Sequence, residues 1–134
     1  MSTLPPFDNA CLFTGLIFQA DLSLSEITQS IEESFKQNIA RQSDIFSFDH
    51  SSYYEAEMGP KLKRVFLSFQ TPVSPDMAFA YKHMAIKLED YYSDNRSRKI
   101  NIDPGILNLH NIILFSTKNF AHRIPCQEGI YAEL

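Results

Sequence analysis

Two stretches of the chain concentrate side chains that could do chemistry. The first, residues 49–64, holds Tyr53, Tyr54, Glu55, Glu57, Lys63 and Arg64. The second, residues 101–133, begins with Asn101 and Asp103 and continues to Ser116, Thr117 and Lys118. It ends with His122, Arg123, Tyr131 and Glu133. Both stretches mix acids and bases. Such a mixture suits a metal–phosphate ligand: carboxylates hold a divalent cation such as magnesium, and Arg and Lys hold the phosphate. His122 lies beside Arg123 and could serve as a general acid near an anion, since an unperturbed imidazole titrates near about 6.5. A plainer reading stands next to each of these. Glu57 could pair with Lys63 or Arg64 and simply fix a long connection, an exposed pair contributing about 0–1 kcal/mol. His122 could be an ordinary hydrogen-bonding surface residue.

Several common catalytic motifs do not occur. No GxxxxGK[ST] offers a phosphate cradle. No GxGxxG follows the first apolar run, so dinucleotide binding of the Rossmann type has no support. GxSxG and HExxH are missing too. The four histidines (His50, His83, His110, His122) are far apart, and Cys11 and Cys126 form no CxxC, so spacing predicts no metal site.

Composition limits the class. The 134 residues are 44% hydrophobic and 21% charged, which fits one globular domain over the whole chain, with residues 1–10 as a flexible lead. Seventeen aromatics argue against a disordered chain. No apolar run reaches the roughly 20 residues that span a bilayer, so no membrane partner is expected. A net charge of −4 argues against a basic nucleic-acid binder. That total hides an asymmetry: residues 1–60 carry two bases against nine acids, and residues 61–134 carry ten bases against seven acids. The bases cluster as Lys61, Lys63 and Arg64, then Arg96, Arg98 and Lys99, then Lys118 and Arg123. They could meet an anionic ligand or form ordinary surface pairs. No basic start precedes the first apolar run, so no secretory signal is read and a cytoplasmic location is expected. There thiols stay reduced, and both cysteines are expected to be small buried side chains.

The elements that must position these residues follow from periodicity. Residues 11–19, CLFTGLIFQ, read as a central strand buried on both faces. Ser23 and Glu26 form a capping box, and Leu24, Ile27, Ile31, Phe35 and Ile39 continue one helical face, predicting a helix over 23–38. A short strand is expected at 45–48, a helical turn before Gly59-Pro60, and a strand at 65–70. Ser74-Pro75 opens a second long helix over 75–92, with Met77, Tyr81, Met84, Leu88 and Tyr91 or Tyr92 as its core face. A strand begins at Ile100 and is expected to break in a turn at Asp103-Pro104-Gly105. A strand at 111–116 follows, then a hairpin around Gln127-Glu128-Gly129. The order β-α-β-β-α-β with extra C-terminal strands predicts an α+β sandwich of the ferredoxin-like kind, with two helices on one sheet face and the other face free.

The two polar stretches also carry a family likeness. FDHSSYYEAEMGPKLKRVFLSF, residues 48–69, resembles the signature of an uncharacterised prokaryotic family, the domain-of-unknown-function family four-four-one-six. The matching positions are Phe48, Tyr53, Tyr54, Glu55, Glu57, Met58 and Gly59, then Leu62, Lys63, Arg64, Ser68 and Phe69. NIDPGIL at 101–107, STKNFAHRI at 116–124 and GIYAE at 129–133 extend the likeness. Similar proteins generally continue beyond the GIYAE strand, whereas this chain ends at Leu134. The resemblance implies a shared site and no particular activity.

Together these readings predict a domain that binds an anionic small molecule, a nucleotide or a phosphorylated metabolite. The candidate contacts are Tyr54, Glu55, Glu57, Lys63, Arg64, Asn101, Asp103, Lys118, His122 and Arg123. One alternative is a phosphoester-processing enzyme that uses a divalent metal. Another is a structural module that pairs with itself as a homodimer.

Overall fold

The structure, a computed structural model, describes residues 3–48 and 52–134. Asp49, His50 and Ser51, part of the first polar stretch, lie outside the described residues. The fold is α+β. Its strands are β1 (Cys11–Gln19), β2 (Ile39–Gln42), β3 (Phe46–Ser47), β4 (Leu62–Phe69), β5 (Ile100–Leu107), β6 (Ile112–Ser116), β7 (Ile124–Gln127) and β8 (Ile130–Glu133). The helices are α1 (Leu24–Phe35), α2 (Ser52–Met58) and α3 (Pro75–Tyr91). One sheet runs in the order β2-β4-β1-β5-β6-β8-β7, with β3 also on β4, and every pairing is antiparallel.

β1 sits at the centre because both its faces are apolar. Leu12, Leu16 and Phe18 point to the face covered by α1 and α3, and there they meet Ile27, Ile31, Phe35, Val65 and Leu67. Ile17 points the other way and packs under α2 with Met58 and Leu62. The second face is therefore partly covered, not free as expected. No helix among the described residues is long and apolar enough to cross a membrane.

Ser23 caps α1, its hydroxyl accepting from the Glu26 amide at 3.3 Å. The helix ends earlier than expected, at Phe35, because Lys36 turns left-handed with φ 53°. Ile39, which continued the helical spacing by coincidence, instead begins β2. Its amide donates to Glu32 Oε2 at 2.9 Å.

α3 buries a different face from the one expected. Met77 is 60% exposed and Tyr91 80% exposed, while Ala78, Lys82, Ala85 and Glu89 are buried. Tyr81, Met84, Leu88 and Tyr92 pack only partly against the core. Small residues let the helix approach the sheet, and the two charged ones extend past its edge.

The expected turn at Asp103-Pro104-Gly105 does not form, and β5 runs straight through it. Gly105 is required there: a Cβ would lie 2.5 Å from the Ile113 carbonyl oxygen and 2.6 Å from the Phe13 ring. Of the two cysteines, Cys11 is half-buried and Cys126 is exposed, which corrects the expectation that both are buried; both thiols are free.

Candidate functional site

The site begins where the sheet splits. β6 pairs with β5 only over Gly105–Leu107, opposite Leu114–Ile112. The next pair would join Phe115 to Pro104, and a proline has no N–H to extend the ladder. Beyond it only the other edge of β6 stays paired, with Phe115 opposite Ala132 and Ser116 opposite Tyr131 on β8. The first half of β5 is left with an unpaired edge.

Side chains of α3 take that edge. Glu89 Oε2 accepts the Ile102 N–H at 2.7 Å, and Lys82 Nζ donates to the Ile102 carbonyl at 3.0 Å. Lys82 also reaches Asp103 Oδ1 at 3.2 Å. Their spacing of seven residues puts both on one helical stripe. β5 contributes Asn101 and Asp103, which project to the same face because they are two residues apart in a strand.

Arg98 ties this floor to α2. Its Nε donates to Glu57 Oε2 at 2.9 Å, its Nη2 to Oε1 at 3.0 Å, and its amide to Oε2 at 2.9 Å. Its Nη1 donates to Asn101 Oδ1 at 2.7 Å, and Asn101 in turn donates to Asp103 Oδ2 at 2.8 Å. Glu89 Oε1 stands 3.7 Å from Arg98 Nη1, beyond hydrogen-bond range.

The opposite wall is built by the end of β6, the loop after it, and β8. Arg123 donates to Glu133 Oε2 at 3.0 Å and to Ser116 Oγ at 2.8 Å, and its guanidinium lies 4.5 Å from the Phe120 ring centre. Lys118 hydrogen-bonds the Tyr53 hydroxyl and lies 4.3 Å from that ring. Among the described residues Lys118 forms no ion pair with a carboxylate. The space enclosed is a cleft of about 360 Å³, bounded by α2, α3, β5, β6 and β8. That is the lower end of ordinary small-molecule sites.

The electrostatics follow from these contacts. Burial pushes the Glu89 carboxyl above its ordinary value, against the pull of Lys82 and the Ile102 amide. Hydrogen bonds from the Arg98 guanidinium outweigh burial and hold Glu57 below its ordinary value. Arg123, with His122, does the same for Glu133. Burial, reinforced by the Asp103 charge, pushes the Tyr54 phenol up.

Of the residues singled out from sequence, Tyr54, Asn101, Asp103, Lys118 and Arg123 line the cleft. Glu57 stands behind Arg98, not against Lys63 or Arg64 as one reading had it. His122 lies outside, exposed, on Glu133 Oε1. Glu55 and Lys63 do not line the cleft. Neither does Arg64, whose guanidinium carbon lies 5.4 Å from the Phe48 ring centre and 4.7 Å from that of Phe66. Its Nη2 would be 2.7 Å from a Cβ at position 15, so Gly15 makes room for it. Sequence reasoning missed Lys82 and Glu89 as site residues, and noted Arg98 only as one of a basic cluster. The readable signal was the stripe Ala78, Lys82, Ala85, Glu89, where charge recurs with small residues at helical spacing. Among the described residues, no three His, Cys, Asp or Glu come together as a set that could hold a metal ion.

No curated protein and no solved structure matches the chain. The model of the family described as domain of unknown function (DUF4416) matches residues 8–134, nearly the whole chain, and the protein belongs to that family.

Proposed function

We propose that the chain is a cytoplasmic domain that binds an anionic small molecule, a nucleotide or a phosphorylated metabolite, in the cleft between β5 and β6. The carrying observation is Lys118. It faces the cleft without a carboxylate partner among the described residues, beside Arg123 and the Ser116 hydroxyl. A phosphate there would receive charge-assisted hydrogen bonds from two cations, with Tyr53 and Phe120 offering flat apolar surface to the rest of the ligand. Glu57 is held by three donors of Arg98 and does not line the cleft, and Asp103 is paired with Lys82. Two cations standing among these carboxylates favour binding over metal-dependent phosphoester chemistry. The two free thiols agree with a reducing compartment. The strand order β2-β4-β1-β5, with α1 and α3 as the crossovers on one face, supports a ferredoxin-like reading of the first part of the sheet.

A thermal-shift screen of nucleotides and phosphate esters, with and without magnesium, tests the proposal. A ligand at a hundred times its Kd stabilises the fold by about 2.7 kcal/mol. That stabilisation should disappear in Lys118→Ala plus Arg123→Ala. A shift that survives the double substitution, or no shift with any compound, overturns the assignment.

A second reading concerns the face around the cleft. Leu107, Ile112 and Leu114 project together from β5 and β6 and are exposed, with Phe66 exposed on the same side of the sheet. Such a strip favours self-association. Light scattering at micromolar concentration would show a dimer, and a monomer would remove this reading.

A further inference from the structure

The charges around the cleft are sorted by side, and that sorting narrows the ligand. On the floor, the carboxyl groups of Glu57, Glu89 and Asp103 face the cations Lys82 and Arg98, three acidic groups against two bases. On the wall, Lys118 and Arg123 face Glu133, an excess of one positive charge. The floor also holds an incompletely used acceptor. Glu89 is 5% exposed. Its Oε2 is occupied by the Ile102 amide, while Oε1 lies 3.7 Å from Arg98 Nη1 with no hydrogen bond. The residue lines the cleft, so this oxygen is available to what enters. Asp103 beside it keeps spare lone pairs, since each of its oxygens takes a single donor, Lys82 or Asn101.

We infer that the cleft takes a ligand with two unlike ends: a phosphate against Ser116, Lys118 and Arg123, and an amino group against Glu89 and Asp103. The inference rests on the binding reading above and adds the second end. An amino group supplies the donors that Glu89 Oε1 and Asp103 lack. A carbonyl in the same place would set an acceptor against two acceptors and leave them dry and unpaired. A positively charged amine would further offset the burial of Glu89.

The test compares phosphates that differ chiefly at the far end: CMP with UMP, AMP with IMP, and ethanolamine phosphate with ethyl phosphate. Affinities are read by calorimetry on the full chain. The amino member of a pair should bind about tenfold or more tightly, the worth of one hydrogen bond to a charged group. Glu89→Gln plus Asp103→Asn should abolish that preference or reverse it, because the new side-chain amides can donate to a carbonyl. A cooperative urea unfolding transition of the variant reports an intact fold. Equal binding within every pair overturns the amino end alone and leaves the phosphate end standing. A preference that persists in the double variant overturns the assignment to Glu89 and Asp103. No binding by any of the six compounds overturns both this inference and the reading beneath it.

Discussion

Glu89 allows a direct test of how the cleft is held together. Its side chain is 7% exposed, and burial raises its pKa above the ordinary 4.5. Over the interval between 4.5 and the raised value, the folded chain keeps a proton that the unfolded chain has lost. Stability therefore falls as pH rises through that interval. Where the difference is a full proton, the slope is about 1.4 kcal/mol per pH unit. Below the interval both states are protonated, and above it both are ionised and the loss is complete. Glu89→Gln removes the titration but keeps an oxygen to accept the Ile102 amide. Urea denaturation of both proteins from acid to about pH 8 should show the variant gaining on the wild type as pH rises through the interval. Glu57 and Glu133 are held below their ordinary values and titrate beneath the interval. Groups common to both proteins cancel in the difference. Parallel stability curves would refute the claim that burial at the edge of β5 raises the Glu89 pKa.

Three further substitutions probe the frame. Glu57→Gln weakens the clamp on Arg98 and should cost about 1 kcal/mol near neutral pH, since the carboxylate is partly exposed. Because Glu57 is held low, that cost should shrink as pH falls through its folded value, which urea titrations at neutral and acid pH would show. Gly105→Ala forces a Cβ against the Ile113 carbonyl and the Phe13 ring and should destabilise by about 1–3 kcal/mol. An unchanged Tm would show slack between β5 and β6. Ser23→Ala removes the cap of α1 and should cost about 1 kcal/mol by the same denaturation assay.

What could be read from the sequence was what local chemistry decides. β1 is apolar on both faces and lies mid-sheet. Ser23 and Glu26 mark the start of α1, and Pro75 marks the start of α3. The misreadings occur where tertiary context overrides a local preference. Asp103-Pro104-Gly105 is a turn sequence by composition, yet Gly105 is held by the close approach of β6 and Phe13, and Pro104 needs no donor where the ladder ends. Ile39 keeps helical spacing by chance, and the backbone of Lys36 alone ends the helix. On α3 a scan for large apolar residues selects Met77 and Tyr91, which are solvent-facing, and passes over the buried stripe because it is alanine and charge. The same error hid Lys82 and Glu89. The link from Glu57 to Arg98 spans 41 residues, and no local spacing rule reaches that far.

The misreadings at Asp103-Pro104-Gly105 and on α3 share one origin, the split between β5 and β6. An unpaired strand edge must have its N–H and C=O satisfied. A β6 that continued alongside β5 would do so with backbone alone. Here an acid and a base on α3 do it instead, and both must be buried to reach Ile102. Desolvating two charges is costly, and backbone pairing would avoid that cost. What the costlier arrangement provides is volume: the space that a continued ladder would fill is the cleft of about 360 Å³. It also provides chemistry, because the groups that close the edge are ionic and face that space. A scaffold with no ligand gains nothing from replacing a ladder with two buried ionisable side chains beside a cavity. Departures of this kind from the most stable local choice are expected where a protein binds something.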